Sequence, residues 1–378
     1  MNSFAIFRLP HADSCTMIEG DAVVVPSFAE LGNQQGFLIA PFMVSEEEPI
    51  VLITNNQSQT ANSQKLTANS QKLTANSQKL TANSHHYHED FSIFHKALLD
   101  GQFRKLVLAR CATVDNDGRA TPMELFQKAC RLYPRMFVAL VSTPQSGMWL
   151  TASPEILLES FPENRWRTIA LAGTMRLRSD KTDNEGQHLR WSAKNIQEQR
   201  YVASYLADVL RRFSDDVCEE GPRTVRAAHL VHLRSDFTFS LDNKRCTRIG
   251  KLLEALHPTP AVCGLPKDEA QRFIISHEHH PRHYYSGFMG PFNVNEDENE
   301  NVDPTSHLIP HTSHFTHLYV SLRCMHITDS AYHLYAGGGL LRESNEQQEW
   351  QETEAKMDTM RRLLLTQSSQ QSQSYVLQ

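Results

Sequence analysis

The chain has 378 residues, of which 40% are hydrophobic, so it can bury a large core in one large domain or two medium ones. A formal net charge of −6 leaves no basic footprint for nucleic acid. Seven scattered cysteines include no CxxC pair, so neither a disulfide framework nor a zinc knuckle is indicated. No secretory leader pattern and no long apolar run are present, which predicts a soluble, cytoplasmic protein without a membrane segment.

The N-terminal part of the chain is rich in short β-type runs. FAIFRL, DAVVVPSF, GFLIAPF and PIVLI fall within residues 1–55 and predict sheet strands. Residues 60–84 then repeat the seven letters TANSQKL almost perfectly. One strong apolar residue per repeat cannot build a coiled-coil seam, so residues 56–90 are predicted to be a disordered surface loop.

From residue 91 helices and apolar strands alternate. An amphipathic helix leads into the strand KLVLAR, which begins at Lys105, and a second helix is predicted over 122–133. The strands MFVALVST and MWLTASPEILLES follow, and Glu155 comes just after a strand end. The run 168–174 predicts a strand that enters a tight turn.

A long helix is predicted over 189–213, because Val202, Leu206 and Val209 follow helical spacing. Extending that row backwards by four residues reaches Glu198. A carboxylate at the head of a buried stripe is either a ligand or part of a helix end that frays into solvent, and spacing leaves both open.

The C-terminal third begins with a Pro/Gly-punctuated loop at 257–270 that opens a helix. The acidic stretch NVNEDENENVDP predicts a solvated loop. The strand predicted over 317–327 carries Arg323 among residues suited to burial. The Gln/Ser-rich tail at 367–378 is predicted to be disordered.

Three consecutive glycines, 337–339, run into an acidic helix. Without a Cβ atom they allow a sharp turn that would bring backbone N–H groups close to an anion. On the helix, Glu349, Glu352 and Lys356 share one face. Paired carboxylates suit a hard divalent cation. Spacing alone favours the plainer interpretation of a solvated helix start with a Glu352–Lys356 ion pair.

Lys105 and Glu155 form a candidate base and acid. Burial would lower the pKa of the lysine and raise that of the glutamate, as those roles require. Histidines at 277, 279, 280 and 283 suggest zinc, but no HExxH motif or Cys pair accompanies them. P-loop, GxGxxG and GxSxG motifs are absent from the sequence.

Ten short motifs follow one another along the chain in this order: KLVLAR, SPE, LAGT, QEQRYV, HLVHL, HPTPAVCGLP, RHYYSGFMG, VSLRC, YAGGG and EWQETEAK. The series resembles the chorismate-utilising enzymes, which include anthranilate, aminodeoxychorismate, isochorismate and salicylate synthases. The resemblance covers residues 91–365. It implies one large α/β (α+β) domain of large antiparallel sheets flanked by helices, in which 91–366 bind chorismate and 1–55 complete the sheets.

The resemblance also implies a site for Mg²⁺. Glu198 and Glu352 would be direct ligands and Glu349 an outer one. The sequence departs from many relatives at Asn195, where they carry an acid that contacts the metal through water. The residues implied to contact chorismate are Gly173, Thr174, His232, Ala261, Arg323, Gly338 and Lys356.

Three positions point to a branch of the family. Ala172 replaces the nucleophilic lysine that aminodeoxychorismate synthases often carry. Lys105 stands where ammonia-using relatives have Gln, and Ala261 stands where salicylate synthases tend to have Thr. Water is therefore the expected nucleophile, activated by Lys105, while Glu155 protonates the leaving hydroxyl.

The implied reaction converts chorismate to isochorismate, feeds menaquinone synthesis and needs no amidotransferase partner. Salicylate synthase activity, a siderophore-pathway isochorismate synthase and a non-catalytic binding protein are the alternatives. An amidotransferase-dependent component is disfavoured.

Overall fold

The computed structural model describes residues 3–54, 57–62, 81–82, 84–176, 190–227, 230–241, 245–295 and 314–365. Its α-helices are α1 (Ser84–Leu99), α2 (Pro122–Leu132), α3 (Ala193–Leu210), α4 (Arg245–Leu256), α5 (Lys267–His277) and α6 (Glu346–Leu364). A capping box at Thr121 starts α2, and the side chains of Ser192 and Asn345 cap α3 and α6. Local sequence therefore sets where these helices begin.

The strands in the first half of the chain are β1 (Ser3–Arg8), β2 (Ser14–Gly20), β3 (Ala22–Val25), β4 (Gly36–Ala40), β5 (Ile50–Thr54), β6 (Gln57–Asn62), β7 (Thr81–Ala82), β8 (Lys105–Asp115), β9 (Phe137–Thr143), β10 (Gly147–Ser153), β11 (Ile156–Phe161) and β12 (Arg165–Arg176). Those in the second half are β13 (Cys218–Ala227), β14 (Leu230–Ser240), β15 (Gly264–Leu265), β16 (Phe288–Phe292), β17 (Val294–Asn295), β18 (His314–Phe315), β19 (His317–Val320), β20 (Cys324–Ile327) and β21 (Ala331–Leu340).

Two large sheets hold nearly all of these strands. Sheet 1 has the order β15-β8-β21-β20-β10-β9-β1-β2-β6, with β7 added on β8, and sheet 2 has the order β13-β14-β12-β11-β19-β16-β4-β5-β3. The strand pairs that bound the site region are antiparallel. The predicted α+β class with large antiparallel sheets flanked by helices is confirmed.

The two sheets pack face to face and helices cover their outer faces. One core lies between the sheets and includes Phe7 and Phe37. A second core joins sheet 2 to α3 and α4, and a third joins sheet 1 to α2 and α6. Helices α1 and α5 cover the outer face of β8. Because strand side chains alternate, Leu106 and Leu108 face these helices while Ala109 faces sheet 2.

The chain crosses from one sheet to the other at two adjacent points. Strand β10 belongs to sheet 1 and β11 to sheet 2, and β19 and β20 divide in the same way. Since β10 pairs with β20 and β11 pairs with β19, the crossovers lie side by side. The backbone N–H of Val320 donates to the carbonyl of Glu155 at 3.0 Å, and that of Ala152 donates to the carbonyl of Arg323 at 3.1 Å.

Several predicted elements differ from the structure. The single strand predicted over 317–327 is wrong, because the chain leaves sheet 2 after Val320 and enters sheet 1 at Cys324. The predicted turn at 173–174 is a bulge within β12, where Gly173 has φ +72°. Glycines 337–339 do not turn either, since they lie inside β21.

The boundary of the predicted repeat loop also shifts. Residues 57–62 form β6 beside β2, and residues 84–90 already belong to α1. Residues 63–80, which carry most of the TANSQKL repeat, lie outside the described residues. The same holds for most of the acidic stretch and for the tail at 367–378.

Candidate active site

A cavity of about 60 Å³ opens between the two sheets, beside the crossovers. Its walls come from β8 and β21 of sheet 1, from β12 and β14 of sheet 2, from α3 and α6, and from the loop before β15. The predicted site residues that line it are Glu155, Gly173, Thr174, Glu198, His232, Ala261, Arg323 and Lys356. Eight residues from distant parts of the chain thus meet at one concave site, as is common for small-molecule sites.

Glu155 lies on the first crossover and is 2% exposed. Burial raises the pKa of its carboxyl to about 8, although Lys105, Lys356 and Arg323 oppose the shift. The group is therefore protonated at neutral pH and faces the cavity. This is the state that a general acid needs.

Arg323 lies on the second crossover, in the left-handed backbone region at φ +47°. A non-glycine residue held there stores strain, which is common where a side chain must be aimed at a site. Its guanidinium Nη2 donates to His232 Nε2 at 2.6 Å. Burial, with Arg323 adding to it, lowers the pKa of His232 well below its usual range, so the ring is neutral and accepts this bond. His232 therefore orients Arg323.

Lys105 is completely buried at the start of β8. Its Nζ lies 3.2 Å from Glu198 Oε1. Burial lowers the pKa of Lys105, although Glu198 acts in the opposite direction. The Lys105 side chain does not line the cavity, whereas its neighbours Glu198 and Gly339 do. An amine with a lowered pKa thus stands one residue behind the cavity wall.

Each of the three predicted carboxylate ligands is paired with a lysine. Besides the Lys105–Glu198 pair, Lys194 Nζ lies 2.5 Å from Glu349 Oε1 and Lys356 Nζ lies 2.7 Å from Glu352 Oε1. Burial, reinforced by Glu352, raises the pKa of Glu349 to about 7 although Lys194 opposes this. Burial alone would raise the pKa of Glu198, but its lysine neighbours outweigh burial and lower it.

The glycines of β21 make room for these carboxylates. A Cβ atom at Gly339 would lie 2.0 Å from Glu198 Oε1, and one at Gly338 would lie 3.4 Å from Glu349 Oε2 and 3.9 Å from Glu352 Oε1. Successive residues of a strand face opposite sides, so Glu198 approaches β21 from one face and the other two carboxylates approach it from the other. Glycines 337–339 therefore do not form the predicted anion-binding turn. They lie in a strand whose backbone the three carboxylates approach closely.

The donor set suits a hard divalent cation, because it consists of carboxylate oxygens. Within the described residues, Glu349 Oε2 is buried and lacks a hydrogen-bond partner. Across the same residues, however, no three His, Cys, Asp or Glu side chains converge closely enough to hold a metal ion. The carboxylates fit Mg²⁺ in chemistry, but each contacts a lysine in this structure and would have to leave that lysine to bind a cation.

The remaining predicted residues lie near the cavity without lining it. They are Lys105, Gly338, Glu349 and Glu352. Asn195, which replaces an acid of many relatives, is buried, and its amide donates to the carbonyl of Thr174 at 3.4 Å. It thus supports the bulge of β12.

Three further contributors were missed in the sequence. Lys194 pairs with Glu349, and Tyr285 and Tyr335 line the cavity. Lys194 precedes Glu198 by four residues and so shares its helix face, a spacing that could have revealed it. Tyr285 and Tyr335 belong to the RHYYSGFMG and YAGGG motifs, but nothing local distinguishes a cavity tyrosine from a core one.

The four-histidine group of 277–283 does not form a common site. His277 contacts the carbonyl of Phe273 at 2.8 Å, whereas His279 pairs with Asp90 and His283 pairs with Glu48. The rings are held by different partners, so their closeness in sequence does not bring their nitrogens together.

Two observations concern the whole of the described chain. No helix in it is both long and apolar enough to cross a membrane. The six cysteines whose side chains are described are free thiols: Cys15, Cys111, Cys130, Cys218, Cys263 and Cys324.

The fold and the cavity define an α+β protein with an enclosed site of acids, lysines and an arginine between two antiparallel sheets. The family model described as "chorismate binding enzyme" matches residues 3–303 and 309–365. The chain belongs to this family, and the resemblance found in its motifs is confirmed.

Curated relatives include isochorismate synthases. MenF of Escherichia coli K12 is 30% identical over 273 residues, which are 71% of this chain and 58% of that protein. DhbC of Bacillus subtilis is 29% identical over 276 residues, which are 71% of this chain and 64% of that protein. The aligned part of the chain therefore spans less than two thirds of the length of these relatives.

Solved structures share the fold over nearly the whole chain. DhbC of Bacillus anthracis has a TM-score of 0.75 at 22% identity and covers 96% of both chains. E. coli MenF has a TM-score of 0.75 at 21% identity and covers 97% of this chain and 89% of its own. Anthranilate synthase component I of Streptococcus pneumoniae has a TM-score of 0.65 at 16% identity and covers 90% of this chain and 80% of its own.

Proposed function

We propose that the protein is an isochorismate synthase, which converts chorismate to isochorismate by adding water at C2 with loss of the C4 hydroxyl. The observation that carries the proposal is a buried acid and a buried lysine beside one cavity: burial raises the pKa of the Glu155 carboxyl to about 8 and lowers the pKa of Lys105. A carboxylic acid that holds its proton and a lysine whose pKa is lowered are the acid and base that this isomerisation needs. Similarity to the isochorismate synthases of E. coli and B. subtilis supports the same reaction.

In the proposed mechanism, the Lys105 amine takes a proton from the incoming water as its oxygen bonds to C2, and the two conjugated ring double bonds each shift by one position toward C4. The Glu155 carboxyl donates its proton to the C4 hydroxyl, which leaves as water when the C4–O bond breaks. Both residues become charged, and proton exchange with solvent resets them. Water must reach Lys105 past Glu198, so the mechanism requires that the Lys105–Glu198 contact opens when substrate binds.

Arg323 would bind a carboxylate of chorismate, because its guanidinium offers a planar fork of donors and His232 fixes its direction. Lys356 faces the cavity and adds a second positive charge. Gly173 and Thr174 would lie along the ring, where the bulge of β12 leaves space for it. The dianionic substrate thus matches the cationic groups of the cavity.

Glu198, Glu349 and Glu352 would hold Mg²⁺. When bound, the cation would neutralise a carboxylate of the substrate. Turnover by the purified protein with Mg²⁺, set against the same assay in EDTA, tests this point: a rate that EDTA leaves unchanged would refute the metal requirement.

Product identity tests the reaction. The protein is incubated with chorismate, Mg²⁺ and ammonium, and the products are separated by chromatography. The proposal expects isochorismate. Salicylate with pyruvate would instead support the salicylate synthase alternative, and an aminated product would support an ammonia-using enzyme. Ala172, which lines the cavity, leaves no lysine at that position to form a covalent intermediate.

We also propose that the protein acts in the cytoplasm, without an amidotransferase subunit, in menaquinone synthesis. Similarity to E. coli MenF, whose solved structure is described as that of a menaquinone-specific isochorismate synthase, supports the pathway, and the free thiols among the described cysteines fit a reducing compartment. Deletion of the gene should deplete menaquinone. Normal menaquinone with loss of a catechol siderophore would favour the siderophore alternative.

A further inference from the structure

Strand β8 begins with the candidate base Lys105, and along one of its two edges only its ends are paired with other strands. Strand β21 pairs with it from residue 106 to residue 115. On the other side β15 pairs with residues 105–106 and β7 pairs with residues 112–113. Among the described residues, the stretch between these two contacts has no paired strand.

Two buried side chains take the place of the missing strand. The backbone N–H of Ala109 donates to Glu278 Oε1 at 2.7 Å, and Arg282 Nη2 donates to the carbonyl of Val107 at 2.8 Å. Arg282 Nε also donates to Glu278 Oε2 at 2.7 Å, so the two side chains hold each other. Both are 3% exposed.

Arg282 also ties β8 to a second wall of the cavity. Its Nη1 donates to the carbonyl of Val262 at 2.7 Å. Val107 and Val262 both line the cavity, so this guanidinium, together with the backbone bond from the Val107 N–H to the Cys263 carbonyl at 2.7 Å, holds the two walls at a fixed separation. The ring of Phe42 lies 4.4 Å from the guanidinium and restricts its rotation.

A buried ion pair is weak support for stability, because removing two charges from water costs about as much as their attraction returns. What this pair supplies is a fixed geometry of hydrogen bonds to the backbone. A guanidinium can donate to two carbonyls and a carboxylate at once in a fixed plane, and an ammonium is a point charge that cannot reproduce that fork. Glu278 is fixed in turn by its bond to β8.

We propose that Arg282, held by Glu278, is a positioning residue of the active site. It sets the distance between the β8 wall and the Val262 wall, and through β8 it sets the place of Lys105. The catalytic readout of this inference rests on the proposed function. Arg282 itself touches neither the cavity nor the candidate acid.

The test compares two buried arginines that bridge backbone carbonyls. Arg8 is 4% exposed and donates to the carbonyls of Cys130, Tyr133 and Met136, none of which lines the cavity. Arg282→Lys and Arg8→Lys should both lower the melting temperature. Only Arg282→Lys should raise KM for chorismate, with kcat/KM reduced roughly 10- to 100-fold per folded molecule. Guanidinium ion at millimolar concentration should restore part of the activity of Arg282→Ala.

Hydrogen exchange gives a readout that does not depend on turnover. Peptides that span residues 105–111 and 259–263 should exchange faster in Arg282→Lys than in Arg8→Lys. Equal exchange, or equal loss of kcat/KM in the two variants, would reduce Arg282 to a structural residue. If the wild-type protein makes no isochorismate, the proposed function fails, and the exchange comparison still decides the positioning role.

Discussion

The space between the two sheets has two halves that are built from different side chains. In the core half, defined by Phe7 and Phe37 on β1 and β4, aromatic rings fill the gap with centroids 5.5 Å apart. In the cavity half, defined by the residues around Gly173 and Gly339, glycines and alanines leave space among the larger polar and aromatic side chains that border the cavity. The same layer is thus closed where aromatic rings meet and open where glycines and alanines leave space.

The halves also differ in how they treat charge. The core half is apolar, whereas the walls of the cavity half carry buried acids and bases with shifted pKa values. Buried charges are costly unless they are paired. Each lysine–glutamate pair limits that cost without filling the cavity, so the site keeps its volume and its reactive groups.

The largest expected effect comes from removing the candidate base or acid. Lys105→Ala and Glu155→Gln should each lower kcat by about 10²- to 10⁴-fold, because each removes one proton transfer. Both variants should still bind chorismate, as measured by calorimetry. Unchanged turnover in Lys105→Ala would remove it as the base.

The next effect concerns the glycines beneath the carboxylates. Gly339→Ala places a Cβ atom 2.0 Å from Glu198 Oε1 and 3.0 Å from Lys105 Cε, so both side chains must move. Activity should fall about 100-fold, since displacements near 1 Å cost that much. Gly338→Ala is the matched control, because its Cβ would make only an ordinary 3.4 Å contact with Glu349. Similar rates for the two variants would contradict the carboxylate cradle.

A change in the core half should lower the stability of the protein and leave its specific activity unchanged. Phe37 is fully buried, and Phe37→Ala should lower the free energy of unfolding by about 3–5 kcal/mol through the cavity it leaves. Denaturant unfolding measures this loss. Per folded molecule, kcat/KM should stay at the wild-type value. A large loss of specific activity would show that the two halves are mechanically coupled.

The smallest effect is a pH dependence. The acid must carry its proton, and the pKa of Glu155 is about 8, so kcat should fall about tenfold per pH unit above pH 8. The contribution of Glu155 to the free energy of unfolding also depends on pH, and its sign is opposite to that of a salt-bridged carboxylate, whose pKa is lowered. The folded chain holds a proton that the unfolded chain has lost, so the stability due to this group declines as pH rises from the ordinary glutamate value to about 8. A flat pH profile up to pH 10 would exclude Glu155 as the acid.

Local patterns predicted most of the elements around the site. The runs KLVLAR and SPE placed Lys105 at a strand start and Glu155 after a strand end, and both positions agree with the structure. The helical row of Val202 and Leu206 led back to Glu198, which is buried as a ligand would be. The roles of these residues stay predictions until the variants are measured.

Other features could not be obtained from local patterns. The run 317–327 looks like one strand, yet it switches sheets at Arg323, because strand propensity does not say which sheet a strand joins. The glycines 337–339 suggested a turn, but their use depends on α3 and α6 coming close to β21. Tertiary packing overrode local preference at both places.

The sequence by itself determined the period of each strand and helix, the capping of α3 and α6, and the supply of carboxylates, lysines and small residues. These follow from neighbours within a few positions. Only the tertiary structure decided that Lys105 meets Glu198 and that Lys194 meets Glu349, since these partners are far apart along the chain. The folded packing thereby set which groups are buried, and burial is the main cause of the shifted pKa values at the site.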